Sequence, residues 1–586
     1  MNVARVVRVV GVVGLLAGAV LAVPAVAVAD SGPIWGDATP ATFAADIQNA
    51  APTAQLNSVS CVSAGHCTAA GSFKDLAGNT QAFTQTSTSG TWGNAVPATF
   101  VTNVQNVAPD ANLSSVSCVS AGHCTAAGSF KDLAGNTQAF TQTSTSGTWG
   151  NAVPATFVTN VQNVAPDANL SSVSCVSAGH CTAVGSFKDL AGNTQAFTQS
   201  STGGTWGNAV PATFATNVQY AAPYARFDTV SCASTGNCTA AGRFKDLAGN
   251  LQAFTQTSTS GTWGNAVPVT LAAGLQSAAP FAYFSSVSCA SAGNCTAAGR
   301  FKDLAGNFQA FTQTSTGGTW GNAVPATYAA GIQNAAPYAY FNSVSCASAG
   351  NCTAAGAFKD QGGNTQAFTQ SSTGGTWGNA VPTTFAADIQ NAAPNAYFNS
   401  VSCTPAGYCT AAGQFKDLGG NTQAFAQTST GGTWGNAVPT TFATGIQNAT
   451  PYAYFNSVSC APAGYCTAAG TFKDLAGNYL AFTQTSTGGT WGNAVPATFT
   501  TDIQNAAPNA YFKSVSCTPA GYCTAAGRFK DQAGNLQAFT QTSTGSEPPV
   551  LPPTGADTDG FVAGAVVFLA AGGLLVVTRR RRVLSA

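Results

Sequence analysis

The chain has 586 residues, of which only 7% are charged, and its 20 basic and 20 acidic side chains leave a formal net charge of zero. This balance excludes long-range attraction of a nucleic acid or an acidic substrate, so we expect no nucleic-acid partner. Because 45% of the residues are hydrophobic and 10% are aromatic, the chain is not a disordered polar stalk.

The first 29 residues have the features of an export signal. Arg5 and Arg8 form a positive start, and an apolar run over residues 9–23 follows. Small residues up to Ala29 provide the site that a signal peptidase requires before Asp30. We therefore predict a signal peptide over residues 1–29, a helix that is removed between Ala29 and Asp30.

Residues 30–545 consist of nine repeats with a constant spacing of 57 residues and no insertion or deletion. Such a period indicates that each repeat is one supersecondary unit. The tryptophans that mark it are Trp35, Trp92, Trp149, Trp206, Trp263, Trp320, Trp377, Trp434 and Trp491.

Each repeat predicts four short antiparallel strands. In one copy these strands cover residues 341–346, 352–358, 365–371 and 376–381, and they are separated by turns rich in Ser, Gly and Asn. Four such strands form the blade of a β-propeller, so we predict an all-β propeller built from nine four-stranded repeats. The connection Thr384–Pro394 has helix-like apolar spacing, which predicts a short helical turn or an ordered loop.

The phase of the repeats favours a closed ring. The ordered region begins at Trp35, inside a fourth strand, and ends at Gly545, after the third strand of the last repeat. Pairing these ends would remove two exposed sheet edges. Because nine blades exceed the usual four to eight, a smaller ring with extra repeats, two rings and an open superhelix remain alternatives.

Eighteen cysteines form one C-x5-C pair in each repeat. In an exported chain such local pairs favour disulfides. A metal site is disfavoured because the histidines beside the pairs, His66, His123 and His180, are replaced by Asn or Tyr in the other repeats. The predicted disulfides are Cys61–Cys67, Cys118–Cys124, Cys175–Cys181, Cys232–Cys238, Cys289–Cys295, Cys346–Cys352, Cys403–Cys409, Cys460–Cys466 and Cys517–Cys523.

Two sequence patterns carry a resemblance that bears on the fold. The Ser-x-Gly-Gly-Thr-Trp turn resembles a degenerate Asp-box of sialidase-like propellers, although the Asp that names the motif is missing. The run Ser-Val-Ser-Cys…Cys-Thr-Ala-Ala-Gly is similar to Cys-paired, propeller-like repeats of secreted actinobacterial proteins. Both resemblances imply a propeller over about residues 35–545 and imply little about activity.

The repeats contain few groups that could catalyse a reaction. Glu547 is the only Glu, and each Lys-Asp pair, such as Lys74-Asp75, falls in a turn where Asp favours tight geometry over calcium binding. Arg243, Arg300 and Arg528 occupy one repeat position and are expected to point in equivalent directions, unlike the converging cluster of a sialidase. We therefore expect no catalytic residues, no metal and no cofactor.

The residue after the proline that ends each connection is aromatic in only some repeats. Such aromatics could stack on sugars or dock a protein, but covering the small core of the connection is the favoured interpretation. The series is Asp110, Asp167, Tyr224, Phe281, Tyr338, Asn395, Tyr452 and Asn509.

The C-terminus has the layout of a wall-sorting signal. A Pro-rich tether over residues 546–554 leads into the motif Leu551-Pro552-Pro553-Thr554-Gly555. The tail over residues 555–586 contains an apolar segment, residues 560–578, which we predict as a transmembrane helix, and four arginines follow it. This order resembles that of LPxTG surface proteins of Gram-positive bacteria. The resemblance implies that a sortase cleaves after Thr554, joins the chain to peptidoglycan and removes residues 555–586. A single-pass membrane protein with an accidental motif is the alternative.

These features predict a secreted protein that is covalently attached to the cell wall and contacts the membrane only before sortase cleavage. Its expected function is a non-enzymatic binding or adhesion scaffold, with sortase and peptidoglycan as partners and a glycan or protein as ligand. The alternatives are a purely structural wall or coat component and, less favoured, an extracellular glycan-active enzyme.

Overall fold

The computed structural model describes residues 34–544 except 45–46, 49–52, 102–103, 107, 159–160, 164, 220–222, 273, 276–279, 334–336, 391–393, 448–449, 463, 500–502 and 504–506. By its contacts the chain divides into Met1–Ser31 and Gly32–Ala586, and every described residue belongs to the second unit. The predicted signal peptide, its cleavage site, the tether, the sortase motif and the apolar segment 560–578 lie outside the described residues. Within the described part of the chain, no helix is long and apolar enough to cross a membrane.

Each repeat forms an antiparallel sheet with three long strands and a divided fourth strand. In one blade the long strands are Tyr340–Ser348, Asn351–Lys359 and Thr365–Thr373. The fourth strand consists of Thr376–Trp377 and Val381–Pro382, which both pair with the third strand. The division places Pro382 at the edge of the sheet, where its missing N–H costs no internal hydrogen bond.

The nine blades are numbered in chain order and have nearly identical bounds. The first long strands are Gln55–Ser63, Asn112–Ser120, Asn169–Ser177, Ala225–Ser234, Ala282–Ser291, Tyr340–Ser348, Tyr397–Cys403, Ala453–Cys460 and Tyr511–Cys517. The second are His66–Lys74, His123–Lys131, His180–Lys188, Asn237–Lys245, Asn294–Lys302, Asn351–Lys359, Cys409–Lys416, Cys466–Lys473 and Cys523–Lys530. The third are Thr80–Thr88, Thr137–Thr145, Thr194–Thr202, Leu251–Thr259, Phe308–Thr316, Thr365–Thr373, Thr422–Thr430, Tyr479–Thr487 and Leu536–Thr542.

The divided fourth strands of blades 1 to 8 begin with a Thr-Trp pair and continue with a Val-Pro pair. Their first parts are Thr91–Trp92, Thr148–Trp149, Thr205–Trp206, Thr262–Trp263, Thr319–Trp320, Thr376–Trp377, Thr433–Trp434 and Thr490–Trp491. Their second parts are Val96–Pro97, Val153–Pro154, Val210–Pro211, Val267–Pro268, Val324–Pro325, Val381–Pro382, Val438–Pro439 and Val495–Pro496. In blade 9 the N-terminal strand Thr39–Pro40 takes this place.

The hydrophobic core lies between neighbouring blades. Ala298 and Ala310 of blade 5 share one buried cluster with Phe341, Phe358 and Phe368 of blade 6. Small alanines on one side and large phenylalanines on the other allow the sheets to approach closely, as close packing requires. The same arrangement recurs around the ring, so each blade is stabilised mainly by its neighbours.

The N-terminus closes the ring. Trp35 forms a bridge with Ser543, and Pro40 pairs with Phe539 in the third strand of blade 9. Ala526 of blade 9 is buried in one cluster with Leu56 of blade 1. The prediction of a closed ring is therefore confirmed with all nine blades, and the smaller ring, the two rings and the open superhelix are excluded.

The connection between blades 6 and 7 is an ordered loop in its described residues, and the helical alternative is wrong there. Asp388 has a φ of 63°, which no α-helical residue adopts. Phe385 and Ile389 nevertheless lie on one side, because the turn directs both against the core of blade 7. Their spacing therefore arises from a tight turn that Asp tolerates.

The nine local disulfides are present as predicted, one in each repeat. In each blade the two cysteines are directly opposite each other on the first and second strands, for example Cys346 and Cys352 with Cα atoms 3.9 Å apart. The disulfide therefore closes the hairpin next to its turn.

Candidate binding site at the mouth of the ring

The antiparallel order of the strands gives the ring two chemically different faces. The first strand begins, the second ends and the third begins at one face, which we call the entry face. At the other, the disulfide face, lie the cystine hairpins and the turns between the third and fourth strands. Tyr340, for instance, pairs with Ala357 at the entry face, whereas Cys346 pairs with Cys352 near the disulfide face.

The first strands surround the central opening. Each is joined to the first strand of the next blade by serine hydroxyls: the backbone nitrogens of Val344 and Cys346 donate to Ser286 and Ser288 at 3.2 and 3.1 Å. The side chains that begin these strands therefore form a ring at the mouth of the opening on the entry face. In blade order they are Gln55, Asn112, Asn169, Arg226, Tyr283, Tyr340, Tyr397, Tyr454 and Tyr511.

This mouth breaks the ninefold repetition. Five consecutive blades, 5 to 9, contribute tyrosine, and we call Tyr283, Tyr340, Tyr397, Tyr454 and Tyr511 the tyrosine arc. All five side chains are partly buried. Blades 1 to 3 contribute amides at the same positions, so one side of the mouth is aromatic and the other is neutral and polar.

Arginines lie at the blade 4 and 5 end of the tyrosine arc. The guanidinium carbons of Arg243 and Arg300 lie 5.5 and 4.9 Å from the ring centre of Tyr283. Arg300 is also 4.6 Å from the ring centre of Phe308, and it donates a hydrogen bond of 2.9 Å to the hydroxyl of Tyr338. Cation–π contacts of this kind hold a guanidinium over aromatic rings without neutralising its charge.

One carboxylate lies within this group of arginines. Arg226 donates to Asp228 at 2.7 Å, and Arg243 lies 3.8 Å from the second oxygen of Asp228. Burial by itself lowers the pKa of Arg226, but the carboxylate of Asp228 outweighs this effect and raises it. Arg226 and Arg243 thus share a single carboxylate, and Arg300 forms no ion pair among the described residues, so this end of the arc carries a positive excess.

A second pair of cations lies at the blade 9 end of the arc. Arg528 lies 4.5 Å from the ring centre of Tyr511 and donates to the side-chain oxygen of Gln55 at 2.9 Å. Lys513 donates to Asn57 at 2.8 Å. Burial lowers the pKa of both Lys513 and Arg528. These hydrogen-bond acceptors are neutral amides, and neither cation forms an ion pair among the described residues, so the positive charge here is also in excess.

The aromatic series that follows the prolines forms a second row beside the arc. Phe281 contacts Phe308 with ring centres 5.4 Å apart, and Tyr452 contacts Tyr479 at 5.6 Å. Tyr338 is 37% exposed and contacts Phe308 and Tyr340. Their described ring partners belong to the strands at the mouth, and the interpretation that these aromatics cover the core of the connection stays a prediction.

Backbone conformation explains three of the four non-aromatic positions in this series, whereas Asn395 forms the same kind of parallel bridge as the aromatic residues. Asp110, Asp167 and Asn509 have φ values of 41°, 40° and 44°, a left-handed region that favours Asp and Asn. By contrast, Tyr338 is extended and forms a parallel bridge with Phe308. An aromatic residue is therefore accommodated only where the chain enters the blade in an extended conformation.

Three phenols of the tyrosine arc, those of Tyr283, Tyr340 and Tyr397, stay protonated at physiological pH. Burial, together with the neighbouring phenols of Tyr397 and Tyr338, raises the pKa of Tyr340 to about 12. Burial likewise raises the pKa of Tyr397 and of Tyr283. The phenols therefore present neutral hydroxyls that can both donate and accept hydrogen bonds.

The Asp residues of the Lys-Asp turns serve their own turns, as predicted. Asp360 accepts hydrogen bonds from the backbone of Asn364 at 2.9 Å and from the side chain of Gln366 at 3.0 Å. Burial opposes ionisation of Asp75, but hydrogen bonds from Gln81 and Asn79 outweigh it and lower the pKa. Among the described residues, no group of three or more His, Cys, Asp or Glu is placed to hold a metal ion.

The sequence-based interpretation missed the mouth because it expected the equivalent arginines to point in equivalent directions and did not expect them to converge. In a closed ring, equivalent positions of neighbouring blades instead face the same opening, and Arg243 and Arg300 consequently flank one tyrosine. A signal was available in the sequence. The column that contains Tyr283 changes from amides to arginine to five tyrosines in ring order.

No protein-family model matches the chain, and no curated protein matches it. Solved structures with a similar arrangement include a protein of unknown function from Dyadobacter fermentans, with 13% identity, a TM-score of 0.31 and coverage of 57% of this chain and 97% of that one. A sialidase from Trypanosoma rangeli has 11% identity and a TM-score of 0.29, over 57% of this chain and 56% of that enzyme.

An α-L-arabinanase from Penicillium chrysogenum is also similar, with 13% identity and a TM-score of 0.25 over 53% of this chain and 92% of that enzyme. The chain thus spans just over half of the Trypanosoma sialidase and almost all of the arabinanase. Likenesses this weak carry no argument about activity. The assignment of the propeller rests on the strand pairing and the ring closure described above.

Proposed function

We propose that this protein is a non-enzymatic binding scaffold, anchored to a Gram-positive cell wall through Leu551 to Gly555, that binds its ligand at the mouth of the ring. The observation that carries the proposal is the loss of ninefold repetition at the mouth. Nine nearly identical blades place a tyrosine arc on one face and, at the two ends of the arc, five cations that do not recur in every blade. A component that only fills or stiffens the wall needs no such asymmetry.

We propose that the mouth is directed away from the wall, and the position of the C-terminal end of the ring supports this orientation. Thr544, the last described residue, donates its backbone N–H to Ile34 at 2.8 Å where the third strand of blade 9 reaches the disulfide face. The proposed tether therefore leaves from the face opposite the mouth. Its eight residues before Thr554 include four prolines, which in polyproline geometry span about 25 Å. The ring would thus be held close to the wall with the mouth directed outward.

The residues at the mouth favour binding over catalysis. Asp228 is the only acidic residue in the first long strands, and it is engaged by Arg226. Hydrolysis of a glycosidic bond commonly uses two carboxyl groups on opposite sides of the bond. Aromatic rings and guanidinium groups, by contrast, are residues that concentrate binding energy at interfaces. The binding scaffold is therefore preferred to the glycan-active enzyme.

Wall anchoring is tested by changing the proposed sortase motif. Thr554→Ala should move the protein from the fraction that a peptidoglycan hydrolase releases to the membrane fraction, because the sortase would no longer recognise the residue whose carbonyl it attacks. Pro553→Ala is the matched control, since this position of the motif is variable, and it should leave the protein in the wall fraction. An unchanged distribution of the Thr554→Ala protein would contradict the proposed anchoring.

Ligand binding is tested with the full-length chain on a glycan array and with extracellular proteins. Tyr397→Ala removes one ring from the arc, and Asn112→Ala changes the equivalent position on the amide side of the mouth. A ligand that is lost in Tyr397→Ala and retained in Asn112→Ala supports the proposal. Uniform absence of ligand would favour the purely structural role, and hydrolysis of a glycan would favour the enzyme.

A further inference from the structure

The distribution of rings and charges at the mouth identifies a ligand class, if the proposed binding function is correct. We infer that the mouth binds a linear acidic glycan that lies along the tyrosine arc, with its acidic groups paired to the cations at both ends of the arc. The shared chemistry is a chain of sugar or polyol units with regularly spaced carboxylate or phosphodiester groups.

The tyrosine arc fits the sugar units of such a chain. Sugar rings present apolar C–H faces that pack on aromatic rings, while phenol hydroxyls offer hydrogen bonds. The five tyrosines occur in consecutive blades, and the second row formed by Phe281, Tyr338 and Tyr452 widens the aromatic surface. A ligand that follows the mouth from blade 5 to blade 9 would therefore meet aromatic side chains along its length.

The cations fit the acidic groups. At one end Arg226 and Arg243 share Asp228, and Arg300 beside them forms no ion pair among the described residues. At the other end Lys513 and Arg528 donate hydrogen bonds to amide oxygens. Guanidinium groups pair strongly with carboxylates and phosphates. The zero net charge of the chain excludes long-range attraction but leaves this local excess, which acts on a ligand already at the mouth.

The distance between the two cationic ends favours a chain over a small acid. Arg300 belongs to blade 5 and Arg528 to blade 9, four blades further around a ring of nine. One acidic group cannot contact both ends, but a polymer that follows the arc can. Binding should therefore become stronger with chain length until the ligand spans the arc.

The test measures binding of the full-length chain to polygalacturonate, to a poly(glycerol phosphate) and to neutral dextran of similar length. At least one acidic polymer should bind about tenfold or more tightly than dextran, and this difference should shrink as salt screens the charges. The carboxylate and phosphodiester polymers identify the source of the acidic group. Equal binding of dextran, or equal affinity of the preferred acidic polymer and its own monomer, would overturn the inference.

Variants locate the site. Arg300→Gln and Arg528→Gln, at opposite ends of the arc, should each weaken binding of the acidic polymer about tenfold and reduce its salt dependence. Tyr397→Ala should weaken binding without changing the salt dependence, and Asn112→Ala should have no effect. Circular dichroism confirms that each variant is folded. Unchanged binding in both arginine variants, or an equal loss in Asn112→Ala, would overturn the inference.

The same experiment separates the two proposals. If acidic polymers fail but a neutral glycan or a protein binds in a manner that depends on Tyr397, only the ligand class is wrong. If no ligand depends on Tyr397, the binding function at the mouth is wrong as well.

Discussion

The side-chain oxygen of Ser516 accepts a hydrogen bond from the backbone nitrogen of Cys61 at 3.0 Å, although 455 positions separate the two residues. The equivalent bond between neighbours within the chain joins Cys346 to Ser288 at 3.1 Å. The interface between blades 9 and 1 therefore has the same chemistry as an internal interface. In a ring closed in this way, every blade packs against a neighbour on both sides.

Ring closure predicts that Trp35 matters as much as an internal tryptophan. The indole N–H of Trp35 donates to Thr485 at 3.3 Å, just as that of Trp92 donates to Thr542 at 3.3 Å. Trp35→Ala and Trp92→Ala should each cost about 3 kcal/mol in denaturant unfolding, because both remove a large ring packed between two blades. A Trp35→Ala cost near zero beside a large Trp92→Ala cost would indicate a frayed, open end.

The buried side-chain oxygen of Gln370 can gain a hydrogen-bond donor through a substitution that is already present in the neighbouring blades. Gln427 and Gln484 each accept a hydrogen bond from a threonine hydroxyl, Thr383 or Thr440. In the described residues the corresponding oxygen of Gln370 is buried without a partner, because Ala326 occupies the threonine position. Ala326→Thr should therefore raise the free energy of unfolding by about 1 kcal/mol.

Ala326→Val is the matched control, because valine has a similar shape and occurs naturally at this position as Val269. It should leave Gln370 unsatisfied and give a smaller gain. If valine stabilises the ring as much as threonine does, then added packing explains the effect and the hydrogen bond does not.

Each local disulfide should contribute a modest amount of stability. The Cys346–Cys352 bond closes a short loop, for which loop entropy predicts about 2 kcal/mol. Replacing both cysteines by serine should lower the unfolding free energy by this amount and leave the fold intact, as judged by circular dichroism. The same change at Cys175 and Cys181 should cost the same. Peptide mapping that finds disulfides between different repeats would contradict the assignment.

The tyrosine arc predicts an unusual alkaline titration. Because burial and neighbouring phenols raise the pKa of Tyr340 from 10 to about 12, its stabilising contribution is complete below pH 10 and is lost as the pH rises towards 12. Ultraviolet absorbance should show a phenol that ionises near pH 12 and that disappears in Tyr340→Phe. If Tyr340→Phe instead removes absorbance change near pH 10, then Tyr340 ionises as an exposed tyrosine does, and the account of its burial is contradicted.

The regular features of the fold could be predicted from the sequence, because each depends either on local chemistry or on the constant spacing of the repeats. The alternation of apolar and polar residues and the turn residues predicted the four strands, and the C-x5-C spacing predicted the disulfides. The positions of Trp35 and Gly545 predicted the closure of the ring. The conformation of the connection could not be predicted, because the left-handed turn at Asp388 produces the same apolar spacing as a helix. The candidate site was missed for a different reason. The convergence of Arg243 and Arg300 on Tyr283 exists only after the blades are arranged around an opening.

The most direct test of the account is electron microscopy of the purified full-length chain viewed along the ring axis. The structure predicts a closed ring of nine blades around a central opening, with the interface between blades 9 and 1 indistinguishable in density from the other eight. An open arc, an elongated rod, or a ring of fewer blades with repeats projecting from it would contradict the closure. The arrangement of the mouth on which the proposed function depends would then be lost as well.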